Sequence, residues 1–119
     1  MITQYEVPDY LSHLMPAAML QPKLGPITTS IYKDIQHLTN YTRQAVDKHN
    51  YTLAKRCFRL AEKLYNQGDV IVKNAIENIF VFSFSSIIPQ GGVERIILKS
   101  YIPLTLYALY VKQVNQGGC

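Results

Sequence analysis

Cysteine is scarce in this chain, which has two among its 119 residues, Cys57 and Cys119. The first lies in an apolar helical pattern and the second ends a "NQGGC" tail, so we expect no disulfide framework of the kind that staples small secreted proteins. The N-terminus also lacks the basic start of a signal peptide and carries Glu6 and Asp9 instead. These absences predict a cytoplasmic protein.

Long apolar runs are missing as well. Two apolar stretches without charge, residues 78–88 and 100–111, have 11 and 12 residues, and Pro103 interrupts the second. A membrane-spanning helix needs about 20 such residues. We therefore expect no membrane partner, and we interpret "NAIENIFVFSFSSIIP" as a helix buried in a protein core.

The usual signatures of catalytic and metal sites do not occur. The chain has no Cys-x-x-Cys, and its three histidines stand at no metal-ligand spacing. Ser83, Ser85 and Ser86 lack the glycines of a nucleophile elbow, and serines on apolar helices usually bond back to a carbonyl one turn earlier. The sequence thus predicts no metal, no cofactor and no enzyme.

Glu77 raises the one enzymatic alternative. It stands between Asn74 and Asn78 on an otherwise apolar helix, and a buried carboxylate there would suit acid–base chemistry. The competing interpretation pairs it with Lys73, four residues earlier, on the exposed side of the helix.

Helical periodicity dominates the rest of the chain. No stretch alternates apolar and polar residues long enough to form a sheet, whereas apolar residues recur at helical spacing. The length suits one core. We predict an all-α fold, a compact bundle of five or six antiparallel helices, in a single domain over residues 1–119 with a disordered tail from about residue 115.

Capping residues define a central hairpin of two helices. Asn50 and Asp69 are suited to N-caps, and Gly68 to a left-handed C-terminal cap, which predicts helices over 50–66 and 69–88. Only "QGD" links them, so they should be antiparallel neighbours.

The C-terminal passage "VERIILKSYIPLTLYALYVKQV" reads as one kinked helix or two in succession, divided at Pro103. Its second part is expected to face inward with Leu104, Tyr107, Ala108 and Val111. This segment either packs within the monomer or forms a homodimer face, and the sequence leaves both arrangements open.

Basic residues are concentrated between residues 43 and 63, where six stand against two acidic ones. That surplus equals the net charge of the whole chain, +4. Four of them share the polar side of the 50–66 helix: Lys55, Arg56, Arg59 and Lys63. Such a face suits phosphate or an acidic protein, although many basic faces are only solvated. With the nearby Tyr51, a residue type typical of interfaces and of base-stacking platforms, they form the predicted partner-binding site.

Two passages carry resemblances. "AKRCFRLAEKLY" has the small–aromatic–small spacing of a tetratricopeptide-like helix, without that repeat's closing proline. The longer "AKRCFRLAEKLYNQGDVIVKNAIENIFVFSFS" resembles a family of small bacterial helical proteins whose domain has no assigned function, through the helix 58–65, the "GD" turn and the core 72–83. Since such families are often encoded near toxin systems, the resemblance implies an immunity-like binding role. It supplies no catalytic residues.

Three functional hypotheses follow. The first is a non-enzymatic protein-binding module, including a toxin-neutralising one, that holds an acidic partner on the basic side of the 50–66 helix. The second is a nucleic-acid-binding protein that uses the same side and therefore shows a steep salt dependence. The third is an enzyme built around Glu77.

Overall fold

Helices form almost all of the described structure. The computed structural model describes residues 1–14, 31–88 and 91–117. Its elements are α1 (Val7–Ser12), α2 (Ile31–Asp47), α3 (Tyr51–Gln67), α4 (Val70–Ala75), a π-helical segment (Ile76–Val81), α5 (Phe84–Ile87), α6 (Gly92–Tyr101) and α7 (Leu104–Gly117). The predicted all-α fold is confirmed.

The core lies where α2, α3 and the π-helical segment meet, and each of the three packs against the other two. Phe58, Phe80 and Phe84 form its centre, fully buried and in mutual edge-to-face contact, with ring centroids 5.5–5.9 Å apart. Aromatic pairs favour this arrangement because the positive ring edge meets the negative ring face. The predicted hairpin is therefore present, with α2 as a third central helix.

The turn between α2 and α3 caps the C-terminus of α2 and the N-terminus of α3. The N–H groups of His49 and Asn50 donate to the carbonyls of Val46 and Ala45, which is the Schellman arrangement. This places His49 in the left-handed region with φ 58°. The Asn50 side chain then accepts from the Leu53 N–H at 3.3 Å, so the predicted N-cap of α3 is confirmed.

Gly68, between α3 and α4, has a different role from the one we predicted. Its backbone is extended (φ −76°, ψ 159°) and not left-handed. Ile2 forms a bridge to it through backbone hydrogen bonds of 2.7 and 2.9 Å on either side. A Cβ at this position would meet the Leu64 carbonyl oxygen and lie 2.6 Å from Val72 Cγ1. The position requires glycine because there is no space for a side chain.

The single helix predicted over 69–88 is divided into three elements. It begins as expected, because the Asp69 carboxylate accepts from the Val72 N–H at 3.0 Å. The π-helical segment then follows α4, and the Phe82–Ser83 pair separates it from α5. Widening of the helix shifts the faces of the residues that follow, and Phe82 is 71% exposed while its neighbour Val81 is fully buried.

Among the described residues, Val70–Ile87 is long and apolar enough to cross a membrane by length and composition. The core helix of a globular protein meets the same criterion. This stretch lies across α4, the π-helical segment and α5, and it packs on α2, α3 and α7. The core accounts for part of its apolar character, because 39% of the stretch is buried, while Val70, Ile71 and Phe82 stay exposed.

The C-terminal passage forms two helices, α6 and α7, on either side of Pro103. The prediction of which α7 residues face inward is wrong. Leu104 is 81% exposed and Ala108 is exposed, whereas Leu106 is fully buried. Helix α7 ends at Gly117, beyond the start of the tail that we expected to be disordered, and residues 118 and 119 lie outside the described structure.

Candidate functional site

The four predicted basic residues of α3 lie together on its solvent side. Lys55, Arg56, Arg59 and Lys63, hereafter the basic face, are all exposed. The opposite side of α3 is buried in the core through Ala54, Cys57, Phe58, Ala61 and Leu64. The only carboxylate of the helix is Glu62, which is half-buried. The apolar periodicity of α3 thus determines which way its cations point.

Tyrosines from other helices lie under both ends of the basic face. The Lys63 ammonium lies 5.1 Å from the centre of the Tyr10 ring of α1, and the Lys55 ammonium lies 5.5 Å from that of Tyr101 in α6. A cation over a tyrosine ring at an exposed site contributes about 0.5–1 kcal/mol. These contacts hold the two lysines at fixed points and connect α3 to its neighbours.

Arg56 and Arg59 form the middle of the basic face. Both are exposed, and no carboxylate of the described chain lies within ion-pair distance of either guanidinium. A guanidinium presents several N–H donors in a planar fork that matches a carboxylate or phosphate with two parallel hydrogen bonds. The arrangement can therefore hold an anionic group between fixed lysines.

Tyr51 lies at the N-terminal end of α3, and its hydroxyl already has partners. Its Oη donates to Glu94 Oε2 at 3.3 Å and lies 3.1 Å from His49 Nδ1. Its ring is half-buried and contacts the Tyr101 ring edge-on, with centroids 6.4 Å apart. Partial burial and the neighbouring Glu94 carboxylate raise the pKa of Tyr51 above its usual value. Tyr51 thus supports the basic face from one end through Tyr101.

His49 and Glu94 belong to a contact that sequence reasoning missed. His49 Nδ1 lies 3.0 Å from Glu94 Oε2, which connects the α2–α3 turn to the first turn of α6. The two residues are far apart in the chain, and nothing in the local pattern around either predicts the other. Among the residues that the structure describes, no group of three or more histidine, cysteine or acidic side chains is arranged to hold a metal ion.

Glu77 is half-buried in the π-helical segment. Its backbone carbonyl accepts a hydrogen bond from Gln113 Nε2 of α7 at 2.7 Å. The expected ion pair with Lys73 does not form between these two described residues, because the Lys73 ammonium lies 5.6 Å from the Tyr65 ring instead. The contacts of Glu77 thus join the π-helical segment to α7.

A cleft of about 540 Å³ opens beside that junction, between α5 and α7. Several of its polar groups already have partners, since the Ser85 and Tyr110 hydroxyls lie 3.0 Å apart and the Arg43 guanidinium donates to Ser86 Oγ at 2.9 Å. We call this cleft the α5–α7 cleft. It is lined by Phe82, Ser83, Ser85, Ser86, Tyr110, Gln113 and Val114. The sequence did not predict it, because it depends on the outward turn of Phe82.

Comparison with known proteins places the chain in a family but gives no chemistry. No curated protein and no solved structure matches it. The resemblance predicted a helical family without an assigned function, and this prediction is confirmed. The model of the family described as "Domain of unknown function (DUF7674)" matches residues 9–116, and the chain therefore belongs to that family.

Proposed function

We propose that this protein is a non-enzymatic binding module that holds an acidic segment of a partner protein on the basic face of α3. The observation that supports the proposal best concerns Arg56 and Arg59. Both side chains are exposed on the same side of α3, and neither has a carboxylate partner among the described residues. Arginines with no intramolecular carboxylate keep their hydrogen-bonding capacity for another molecule.

The dimensions of the basic face fit a short acidic segment. Lys55 and Lys63 are eight residues apart on α3, a distance of about 12 Å, which equals roughly four residues of extended peptide. Because both lysines rest on tyrosine rings, less side-chain freedom is lost when a partner binds between them.

Nucleic acid is the competing ligand for this face, and the tyrosines argue against it. Single-strand binding relies on aromatic faces that are open for base stacking. Here the lysine ammonium groups lie over the Tyr10 and Tyr101 rings, and Tyr51 is half-buried beside Tyr101. These contacts favour an acidic peptide over a polynucleotide.

The toxin-neutralising role and the cytoplasmic location remain parts of this proposal. A toxin bound by this face would itself present an acidic surface, because a basic inhibitor suits an acidic target. A nuclease is therefore a poor target, since its own nucleic-acid site is basic.

The proposal is tested with two probes of equal net charge, a short poly-glutamate peptide and a single-stranded oligonucleotide. NMR chemical-shift changes should locate the peptide on residues 55–63, with binding that persists at physiological salt. Replacing both arginines, Arg56→Glu and Arg59→Glu, should weaken peptide binding at least about tenfold.

A matched control separates position from net charge. Lys33→Glu with Lys112→Glu also removes four units of charge but leaves the basic face intact, so peptide binding should be kept. Tighter oligonucleotide binding with a steep salt dependence would overturn the assignment in favour of nucleic acid. Equal loss in both double variants would show that only overall charge matters.

A further inference from the structure

Helix α7 has apolar residues on two opposite sides. Its inner side packs into the chain through the fully buried Leu106 and the half-buried Leu109 and Tyr110. Its outer side is equally apolar and exposed along the length of the helix. We call this side the outer stripe: Leu104, Ala108, Val111 and Val114.

The spacing of the outer stripe is that of a helix–helix seam. Leu104, Val111 and Val114 stand at i, i+7 and i+10, the positions a, a and d of two heptads, and the half-buried Tyr107 occupies the intervening d position. Ala108 lies beside this line and is small enough to let another helix approach closely. A solvated face would not be expected to carry this pattern.

Charge is nearly absent from α7. Lys112 is the only charged residue among the 14 residues of α7. Charged residues make up about a quarter of an average soluble protein. Amphipathic helices that lie on membranes carry many lysines and arginines on their polar side. A lipid surface therefore fits α7 poorly.

We propose that the outer stripe is the interface of a homodimer, in which α7 pairs with α7 of a second copy. In a two-fold dimer the same surface meets itself, so a patch with an excess of one sign of charge faces the same excess on its copy. The chain carries a net charge of +4, which opposes self-association through most of its surface. The four residues of the outer stripe are uncharged, and the Lys99 ammonium lies 5.4 Å from the centre of the adjacent Tyr107 ring. The stripe therefore carries little charge to oppose its own copy.

The pairing is antiparallel. A parallel pair would place the two Lys112 side chains level with each other, whereas an antiparallel pair places them on opposite sides of the two-fold axis. The antiparallel arrangement also sets the positive end of each helix dipole beside the negative end of the other.

The α5–α7 cleft completes this interface. In an antiparallel pair centred near residue 109, Leu104 of the second copy lies opposite Val114, which lines the cleft together with Phe82. Leu104 is 81% exposed and Phe82 is 71% exposed, so most of each apolar side chain is open to solvent. By symmetry each copy inserts Leu104 into the cleft of the other. Helix α7 alone, about 21 Å long, offers less area than a stable dimer needs, and the cleft adds to it.

Sedimentation velocity and light scattering across a dilution series up to about 100 µM test the dimer. The wild type should be dimeric at the upper end, and Leu104→Glu or Val111→Glu should raise the dissociation constant roughly 100-fold because each would bury a charge. Val70→Glu is the matched control, since Val70 is an exposed apolar residue at the start of α4. It should leave the dimer intact.

A cross-link gives a second, independent readout. In a Cys119→Ser background, Ala108→Cys should form a disulfide-linked dimer on mild oxidation, because residue 108 of each copy lies next to the two-fold axis and Cys57 is buried. A wild type that stays monomeric at about 100 µM overturns the proposal. So does a dimer that Leu104→Glu leaves unchanged, or a monomer that binds lipid vesicles through α7.

Discussion

His49 Nδ1 lies 3.0 Å from Glu94 Oε2, so a residue in the α2–α3 turn contacts the start of α6. This contact is not buried, because the His49 and Glu94 side chains are 65% and 49% exposed. An exposed contact of this kind contributes about 0–1 kcal/mol even between two charged groups. The left-handed backbone of His49, by contrast, costs a residue other than glycine about 1–3 kcal/mol.

Replacing His49 by glycine should therefore raise the free energy of unfolding by up to about 1 kcal/mol, since relief of backbone strain exceeds loss of the exposed contact. Urea denaturation measures the change. His49→Ala keeps the strained Cβ and loses the contact, so it should not stabilise the protein. Both variants lose the Glu94 contact, so a glycine variant no more stable than the alanine variant would contradict backbone strain at this position.

Asp69 should stabilise the start of α4 through its side chain alone. Asp69→Ala leaves the Val72 N–H without its acceptor and should lower the free energy of unfolding by about 0.5–2 kcal/mol. Asp69→Asn retains an acceptor oxygen and should stay close to the wild type. Thermal denaturation followed by circular dichroism distinguishes the two, and equal losses would mean that charge, not capping, is responsible.

The crowding at Gly68 gives a prediction with an internal control. Gly68→Ala forces a methyl group against the Leu64 carbonyl and Val72, and it should destabilise the protein by about 1–3 kcal/mol. Gly91 has an extended backbone and open space around its Cβ direction, so Gly91→Ala should change stability by at most about 0.5 kcal/mol. Similar effects at both sites would contradict crowding by Leu64 and Val72 as the reason for glycine at position 68.

The reactivity of the buried Cys57 thiol measures how often the core between α2 and α3 opens. Burial raises the pKa of its thiol above the usual value, although Thr42 and Arg56 act in the opposite direction. A raised pKa in the folded state means that stability is lost as the pH rises past the ordinary thiol pKa of about 8.5. In a Cys119→Ser background, iodoacetamide should label Cys57 only as fast as the protein unfolds. Fast labelling under native conditions would contradict a closed core.

Local signals in the sequence predicted much of the fold. The N-caps Asn50 and Asp69 were identified because capping depends on one side chain and the next three residues. The buried side of α3 followed from periodicity, and the exposure of the basic face followed with it.

Features that depend on distant parts of the chain were missed or misjudged. Gly68 was assigned a left-handed turn, whereas it is extended and bridges Ile2, a distant partner that no local pattern shows. The π-helical segment changes the register after Ile76, so the exposure of Phe82 could not be read from a regular helical period. In α7 both sides are apolar, and periodicity alone selected the wrong one.

The same limit applies to the candidate site. Its residues were named from the sequence, but their contacts join α3 to Tyr10 and Tyr101, which lie in other helices. Those contacts support an acidic peptide over nucleic acid, and only a folded structure shows them. The α5–α7 cleft likewise required the packing of α7 on the π-helical segment.

The most direct test of the basic face is affinity capture from native lysate, with and without nuclease treatment, read by mass spectrometry. Wild type and Lys33→Glu/Lys112→Glu should retain the same acidic protein, and Arg56→Glu/Arg59→Glu should lose it while keeping its helicity and melting temperature. Loss of all captured material on nuclease treatment, or equal capture by all three proteins, would contradict the account.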